Sequence, residues 1–450
     1  MNMRKTVISL SSIAMMASLA ACGSSSGGSP SATSANPGAT NQTTAQATAP
    51  AAPGKVVKLK MWGGVPPESG PQAVVDNWNA KNPDIQVEYE RYVNDDAGNL
   101  KLDTALLTGQ GVDLFVSYSG TALKKRVDSG VALDMSGYTD YNIEDKMGQT
   151  AKDWQVNGKY YGVPTVKSAF YVWLNKDALD QAGLKVPTSW TWKEMQEYAA
   201  KLKTDKRSGL VQHLEIYPDA MDSVLAHEGY TKKDGTSNLD QPLIAKWLET
   251  LNAMMKDKTT PMLGEQLTSK MPVETMFLKG ESAMLNAGSW IFRSSNNMTE
   301  NPRTFKIAFA PVPRLDDNEQ NYVTRGGLGD MVSINAKSAN KEAAWKFLKW
   351  YADGGLMPLA AGGRIPSSKS ANVDEALKLL LGANESTYDI PSLKYVLFEN
   401  KTPLFTRSVP QQVLDLRREE YEKFFLGKQD VKATLAAMVK RHNEYLKTVK

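Results

Sequence analysis

The chain has 450 residues, of which 41% are hydrophobic, and its 53 Lys and Arg nearly balance its 49 Asp and Glu. This length exceeds what one hydrophobic core usually supports, so two lobes or domains are expected. The near-neutral charge gives no electrostatic case for nucleic acid, and three histidines with one cysteine argue against a multi-ligand zinc site.

The segment that ends at Cys22 combines a positive start, an apolar run and a lone cysteine. Arg4 and Lys5 precede the apolar stretch from Thr6 to Ser18, which is too short to span a membrane as a mature helix. Leu19-Ala20-Ala21-Cys22 resembles the lipobox of bacterial lipoproteins, which implies removal of residues 1–21 and S-lipidation of Cys22. An ordinary secretory signal with an incidental cysteine is the alternative.

Residues 23–54 contain no charged side chain and nothing more apolar than alanine. Such a composition cannot bury enough apolar surface to offset the entropy lost on ordering. Together with Cys22 this stretch, residues 22–54, is predicted to be a flexible tether. It includes a G-x-S-x-G match, Gly23 to Gly27, but no strand pattern precedes the match and we do not interpret it as a hydrolase nucleophile.

Strand and helix patterns alternate at the start of the folded body. Strands are predicted for Lys55 to Trp62, Ile85 to Tyr92 and Val112 to Tyr118, and helices for Gly70 to Asn82 and Asn99 to Thr108. This β-α-β-α-β order predicts an open, largely parallel sheet, which binds ligands at the carboxyl ends of its strands. The loops at Trp62-Gly63-Gly64 and at Ser117 to Gly120 are therefore candidate ligand loops.

The rest of the body continues with mixed patterns. A capping box at Thr191 predicts the start of a helix that extends to Leu202. Further helices are predicted for Leu239 to Lys256, Glu274 to Lys279, Lys341 to Tyr351 and Val431 to Val449. Strands are predicted for Leu210 to Tyr217, Ser282 to Trp290, Phe305 to Val312 and Met331 to Asn335, with glycine-rich loops at 326–329 and 362–366.

An aromatic, β-branched stretch from Tyr160 to Trp173 reads as a buried strand, because Gly162 and Pro164 would disrupt a helix. Alternation along a strand divides its side chains between two faces. We expect Trp173 to pack inward, and Ser168 and Tyr171 to be the residues that could reach a ligand.

Several short motifs resemble, in order, the extracellular solute-binding proteins of ABC importers, in particular family 1, which binds carbohydrates. They are Leu59 to Trp62, Lys81 to Val87, Gly111 to Phe115, Tyr161 to Pro164, Leu174 to Asp177, Pro187 to Trp190, Phe277 to Met284, Ala310 to Pro313, and Ser333 to Asn335 followed by Asn340 to Tyr351. The resemblance implies an α/β, two-lobed, periplasmic-binding-protein-like fold of type II with a ligand cleft between the lobes.

The resemblance also implies where the chain passes between lobes, near Val163 to Ala169 and near Ala310 to Pro313. The expected N-terminal lobe is 55–165 plus 312–362, and the expected C-terminal lobe is 166–311 plus 363–450. Function follows by the same resemblance: a monomeric, extracytoplasmic receptor, lipid-anchored to the bacterial cell membrane, that closes on a sugar or oligosaccharide and delivers it to an ABC permease. No catalysis, cofactor or metal is implied.

A sugar site needs aromatic platforms for C–H faces, and side chains that exchange hydrogen bonds with hydroxyls. The candidate ligand residues are chosen because they lie at predicted strand ends, in glycine-rich loops or at positions that match the family. They are Trp62, Gly63, Ser117, Tyr118, Ser119, Ser168, Tyr171, Tyr217, Asp219, Trp290, Gly326, Gly327 and Arg364. Each also has a structural alternative in core packing, a turn or a surface ion pair. Lys167 and Arg364 raise the hypothesis of an acidic, uronate-like ligand.

The competing function is an exported glycosidase that uses two carboxylates. Asp113, Glu68 and Asp219 are acids that such an enzyme could use, although the sequence fixes no distance between them.

Overall fold

The computed structural model of the protein describes residues 56–318, 322–407 and 409–449. The predicted signal segment, Cys22 and the tether lie outside these residues. Within them, no helix is both long enough and apolar enough to cross a membrane.

The strands are β1 Val57–Gly63, β2 Ile85–Arg91, β3 Leu114–Ser117, β4 Val163–Asn175, β5 Ser208–Gln212, β6 Ser282–Gly288, β7 Ile307–Pro311, β8 Thr324–Ile334, β9 Ile365–Pro366 and β10 Leu404–Phe405. The helices are α1 Pro71–Asn79, α2 Asp96–Thr108, α3 Gly120–Asp128, α4 Ile143–Met147, α5 Lys176–Gln181, α6 Trp192–Leu202, α7 Asp219–Glu228, α8 Pro242–Lys256, α9 Leu263–Ser269, α10 Val273–Leu278, α11 Phe292–Asn296, α12 Lys341–Trp350, α13 Val373–Leu381, α14 Ile390–Lys394, α15 Gln411–Phe425 and α16 Val431–Thr448.

The first lobe is built on β1, β2 and β3, which lie side by side in parallel with β1 in the centre. Helices α1 and α2 connect these strands, as the alternating sequence pattern predicted. The buried face of the sheet packs on α1 and α12, where the ring of Trp78 meets Phe347 at 5.2 Å. Because the strands run in parallel, their carboxyl ends meet at one edge of this lobe.

The second lobe is built on β5, β6 and β7 around the second half of β4. Strand β5 is parallel to β6, whereas β6 and β7 flank β4 in the antiparallel direction. Trp173 of β4 is fully buried between Phe292 and Phe309, which confirms the prediction that it packs inward. Helix α6 carries the predicted capping box, in which Thr191 and Glu194 each bond the other's backbone N–H.

Strand β4 joins the two lobes. Its first half, Val163 to Ala169, pairs with β8, and its second half, Phe170 to Leu174, pairs with β6. Strand β8 in turn pairs with β3 of the first lobe. Strand β4 is therefore shared by the sheets of both lobes and β8 links it to β3, while the lobe boundaries predicted above stay a prediction.

Three elements differ from the sequence prediction. Strand β5 ends at Gln212, so Tyr217 does not end a strand; it precedes α7, where Pro218 has no N–H to continue a ladder. The glycines at 326–329 lie inside β8 and not in a loop, because β8 pairs closely with β4: a Cβ at Gly326 would lie 3.0 Å from the carbonyl oxygen of Ser168. Similarly, the predicted loop at 362–366 contains β9, which pairs with β4.

A buried ion network ties α7 to α15 and to the segment before it. Asp222 accepts hydrogen bonds from Arg407 Nε and Arg417 Nη1, both at 2.6 Å, and from the Tyr230 hydroxyl at 2.9 Å. Burial would raise the pKa of Asp222, but Arg417 and Arg407 outweigh it and lower that pKa to about 2. The charged form of Asp222 is therefore stabilised by folding.

We predict that Asp222→Asn destabilises the protein, since two buried guanidiniums lose their shared carboxylate. The free energy of unfolding at neutral pH should fall by about 3–5 kcal/mol. A folded pKa of about 2, below the unfolded value of about 4, means that the stabilisation is present above pH 4 and is lost as the pH falls towards 2. Urea unfolding followed by tryptophan fluorescence at several pH values measures both effects.

The matched control is Asp205→Asn, a change at an exposed aspartate. It should leave the pH profile of the wild type intact, whereas Asp222→Asn should flatten it between pH 4 and 2. Identical profiles for the two variants would contradict a structural role of the Asp222 charge.

Close backbone approach gives a second prediction. A Cβ at Gly162 would lie 2.3 Å from the carbonyl oxygen of Val332, whereas one at Gly137 would meet no heavy atom within 4 Å. Gly162→Ala should therefore lower the free energy of unfolding by about 1–3 kcal/mol through overpacking. Gly137→Ala should change it by less than about 0.5 kcal/mol. Denaturant titrations compare the two, and equal effects would contradict the tight β4–β8 packing.

Candidate functional site

A cavity of about 330 Å³ lies where the carboxyl ends of the first-lobe strands face the second lobe. Strands β4 and β8 form one side of the cavity, which is called its floor below. Its lining residues are, from the first lobe, Asn94, Asn99, Tyr118, Ser119, Gly120, Thr121, Ala122 and Trp154; from β4 and β8, Ser168, Phe170, Arg325, Gly326, Leu328, Gly329 and Asp330; and from the second-lobe side, Glu215, Thr406, Arg407, Gln411 and Leu414.

The first-lobe wall is formed by the loop after β3. The hydroxyl of Tyr118 accepts a hydrogen bond of 2.6 Å from the backbone N–H of Gly64, which joins this loop to the glycine loop after β1. Ser119 caps α3 by accepting from Ala122 N–H at 3.1 Å. The two loops that the sequence indicated therefore contact each other, and the loop after β3 lines the cavity.

Behind this wall, Arg126 of α3 is almost fully buried and holds three partners in place. Its guanidinium donates to Asp103, to Ser117 Oγ and to Asn99 Oδ1, each at 2.8 Å. Ser117 is fully buried by this contact, so in this structure it supports the wall and does not line the cavity. Asn99, by contrast, lies at the cavity surface and is oriented by Arg126.

Asp330 brings a carboxylate to the floor. It lies in β8 with a positive φ of 48°, where the ladder with β4 is interrupted and Thr165 Oγ1 donates to its carbonyl oxygen at 2.9 Å. Arg364 Nε lies 3.4 Å from Asp330 Oδ2. Burial raises the pKa of Asp330 and the Arg364 charge opposes that rise. Burial, with Asp330 next in effect, also holds the pKa of the Tyr118 phenol well above its usual range.

An aromatic group forms one side of the cavity. Phe170 lines it, with the Arg325 guanidinium 4.5 Å from the ring centroid. Trp290 also contacts Phe170 edge to face, with the ring centroids 5.4 Å apart. Trp290 is half-buried beside the lining residues. Trp154 is fixed by a hydrogen bond of 2.9 Å from Nε1 to the carbonyl oxygen of Leu328.

The second-lobe side is positively charged at its surface. Arg325 and Arg407 both line the cavity, and both contact the buried Asp219. Burial raises the pKa of Asp219, and the two arginines oppose that rise. Elsewhere among the described residues there is no group of three or more His, Cys, Asp or Glu placed to hold a metal ion.

The structure brings only part of the predicted set to the cavity. Tyr118, Ser119, Ser168 and Gly326 line it. Four more candidates do not line the cavity but lie against residues that do: Asp219, Trp290, Gly327 and Arg364. Gly63 precedes Gly64, which bonds Tyr118, and the ring of Tyr89 lies close to Gly63. Trp62, Ser117, Tyr171 and Tyr217 are buried in cores, with the Tyr171 hydroxyl 3.1 Å from Ser289 Oγ and that of Tyr217 accepting from Gln266. Ligand binding by any of these residues stays a prediction.

Several lining residues were not anticipated. Asn94 could have been, because it follows the carboxyl end of β2 and the same rule that indicated Tyr118 applies to it. Arg325 and Asp330 flank the glycine-rich stretch, which the sequence predicts to be a loop and the structure places in β8. Thr406 and Arg407 gave no local signal, since Arg407 finds its partner Asp219 at a distance of 188 residues along the chain.

Comparison with known proteins agrees with this architecture. Residues 63–353, more than half of the chain, match the family model described as bacterial extracellular solute-binding protein. A Brucella abortus protein described as a binding protein is 29% identical over 291 residues, which are 62% of this chain and 68% of the relative. The maltotriose-binding protein of Pyrococcus abyssi is 24% identical over 62% of this chain and 58% of its own length.

Solved structures share the fold. An ABC substrate-binding protein of Listeria monocytogenes, in complex with cycloalternan, superimposes with a TM-score of 0.71 over 87% of this chain and 99% of its own, at 22% sequence identity. The two-lobed α/β fold of type II, with a cleft between the lobes, is thereby confirmed, as is the family that the motifs indicated. The chain belongs to the bacterial extracellular solute-binding proteins.

Proposed function

We propose that the protein is the binding receptor of an ABC importer and that it captures a sugar or short oligosaccharide in the cavity between its lobes. The observation that carries the proposal is the mixture of side chains in that cavity. Asn94, Thr121, Thr406 and Gln411, with their amides and hydroxyls, line the same cavity as the ring of Phe170. Hydroxyl-rich ligands with apolar C–H faces match both kinds of surface.

The size of the cavity supports a small ligand. About 330 Å³ is at the lower end of the range for small-molecule pockets, roughly 300–1,000 Å³. A monosaccharide or disaccharide fits this volume better than a long chain does. The maltotriose-binding relative and the cycloalternan-bound structure belong to proteins that bind sugars, which supports the same ligand class for this chain.

Capture is proposed to occur by closure of the lobes around the hinge strands. Thr121 Oγ1 of α3 donates a hydrogen bond of 2.7 Å to the carbonyl oxygen of Val409, which precedes α15. This contact joins the first-lobe side of the cavity to the segment before α15, on its second-lobe side. A ligand that touches both sides favours the closed form to the extent that it binds that form more tightly than the open one.

A glycosidase is the weaker alternative on the geometry. Asp113 is occupied by hydrogen bonds from Lys60 N–H and the Ser338 hydroxyl, Asp219 by two arginines, and Glu68 lies exposed. The acids that line the cavity are Glu215 and Asp330, and Asp330 is paired with Arg364. We therefore propose binding without catalysis, which incubation with labelled oligosaccharides tests: product formation would overturn it.

The ligand class is tested by thermal unfolding with a panel of neutral and acidic sugars, amino acids, peptides and metal ions. A ligand that binds only the folded state raises the melting temperature with its concentration. We expect a rise with at least one sugar. A rise with peptides or metals and with no sugar would overturn the proposal.

We predict that Phe170→Ala weakens sugar binding about tenfold or more, because a stacking face is worth roughly 1–3 kcal/mol when buried. Calorimetric titration with the sugar found in the panel measures the change. Phe398→Ala, at an exposed ring outside the cavity, is the matched control and should leave the affinity unchanged. Equal affinities for the two variants would contradict a ligand contact at Phe170.

Anchoring and delivery complete the proposal. Cys22 is proposed to carry the lipid, and residues 23–54 to act as the tether to a membrane where the ABC permease receives the closed receptor. Several acyl chains on one cysteine anchor firmly, since each buried methylene contributes roughly 0.8 kcal/mol.

We predict that Cys22→Ser moves the protein from the membrane fraction to the soluble fraction after export. Fractionation of cells and metabolic labelling with a fatty acid measure this. Ser24→Ala, two residues on, is the control and should keep both the label and the membrane location. A Cys22→Ser protein that stays labelled would contradict lipidation at this cysteine.

A further inference from the structure

Arg325 keeps hydrogen-bond donors that nothing in the described part of the chain uses. Its Nη1 lies 3.3 and 3.5 Å from the two carboxylate oxygens of Asp219. Its Nε and Nη2 find no partner in residues 56–318, 322–407 and 409–449. The side chain is 23% exposed and lines the cavity, and its guanidinium packs against the ring of Phe170. A guanidinium fixed in this way presents donors to whatever enters the cavity.

The charges around Arg325 do not balance. Arg325, Arg407 and Arg417 are three buried or nearly buried guanidiniums, and they share two buried carboxylates. Asp222 is used by Arg407 and Arg417, so Asp219 alone serves Arg325 and also binds Arg407. One positive charge in this cluster is therefore uncompensated. Burial lowers the pKa of Arg325, which is the direction expected for a cation that lacks a full counter-charge.

The other acids at the cavity do not supply the missing charge. Asp330 is paired with Arg364, which leaves that pair neutral. The charge of Glu215 favours the charged form of Arg325, but Glu215 lies exposed, where water screens it. An uncompensated cation beside the cavity is stabilised by an anion that excludes water, and a planar carboxylate matches the two-donor edge of a guanidinium.

Two helices add positive potential at the same place. The first-turn residues Gly120 and Thr121 of α3 line the cavity from one side, and Gln411, which begins α15, lines it from the other. Helix N-termini carry partial positive charge and unpaired backbone N–H groups. Neither helix would define a site alone, but both reinforce the charge at Arg325.

We infer that the ligand of this protein carries a negatively charged group, as a uronic acid does, and that Arg325 binds that group. The inference rests on the proposed sugar-binding function and names the class of sugar. It also moves the acidic-ligand hypothesis to a different residue, since Arg364 is occupied by Asp330. Lys167, on the opposite face of β4 from Ser168, is not among the residues that line the cavity.

The test compares matched pairs of sugars that differ only in the charged group. Glucose is set against glucuronate, galactose against galacturonate, and a neutral disaccharide against digalacturonate, in calorimetric titrations with the wild-type protein. Glucose 6-phosphate is included to distinguish a preference for carboxylates from a preference for any anionic group, since it carries a phosphate and no carboxylate. We expect the acidic member of at least one pair to bind about tenfold more tightly, and its affinity to fall as salt concentration rises.

Arg325→Gln should lower the affinity for the acidic sugar by at least about tenfold more than it lowers the affinity for the neutral partner, so that the preference disappears, since a glutamine keeps hydrogen-bonding capacity without charge. Arg325→Lys should restore part of the preference. Arg418→Gln, at an exposed arginine of α15, is the control and should keep it in full. Circular dichroism and the melting temperature of each variant report whether it is folded.

The outcomes separate the two proposals. Equal binding of neutral and acidic sugars by the wild type would overturn the inference and leave the sugar-binding function standing. A preference that survives in folded Arg325→Gln would overturn the role of Arg325. No binding of any sugar, with a shift by another ligand class, would overturn the proposed function itself.

Discussion

The antiparallel pairing of β4 with β8 is the constraint on which the rest of the structure depends. Strand β4 pairs with strands of both lobes, and β8 joins its first half to β3 of the first lobe, so the residues near the middle of β4 lie at the boundary between lobes. Ser168 and Phe170 of β4, and Arg325 and Gly326 of β8, stand at that boundary and line the cavity. The close approach of the two backbones leaves little room for a side chain at Gly326, and the cavity floor is part of a sheet, which orients side chains better than a loop does.

Burial of charge is the second physical theme of the cavity. Desolvation penalises each ion, and the fold offsets this penalty with pairs: Asp330 with Arg364 on the floor, and Asp219 and Asp222 with arginines on the second-lobe side. A fully paired network serves structure alone. Arg325 differs from the other arginines of this network in lining the cavity while its contact with Asp219 is as long as 3.3 Å, and it lies beside the ring of Phe170.

The hydrogen bond that joins the first-lobe side of the cavity to the segment before α15 is weak enough to break and form again. One hydrogen bond such as that between Thr121 and the carbonyl of Val409 contributes about 1 kcal/mol. On the proposed function, a ligand that bridges both sides would supply several such interactions at once and so favour the closed form.

The sequence by itself determined the local elements: the strand and helix order of the first lobe, the capping box at Thr191 and Glu194, and the inward packing of Trp173. These features depend on residues a few positions apart, so periodicity and capping rules reach them. Only the tertiary structure decided which side chains share the cavity. The glycines at 326–329 became strand because β4 lies against them, Tyr171 became core because Ser289 and Phe309 cover it, and Arg407 reached Asp219 across 188 residues. Such pairings arise from the packing of distant segments, and no local pattern in the chain encodes them.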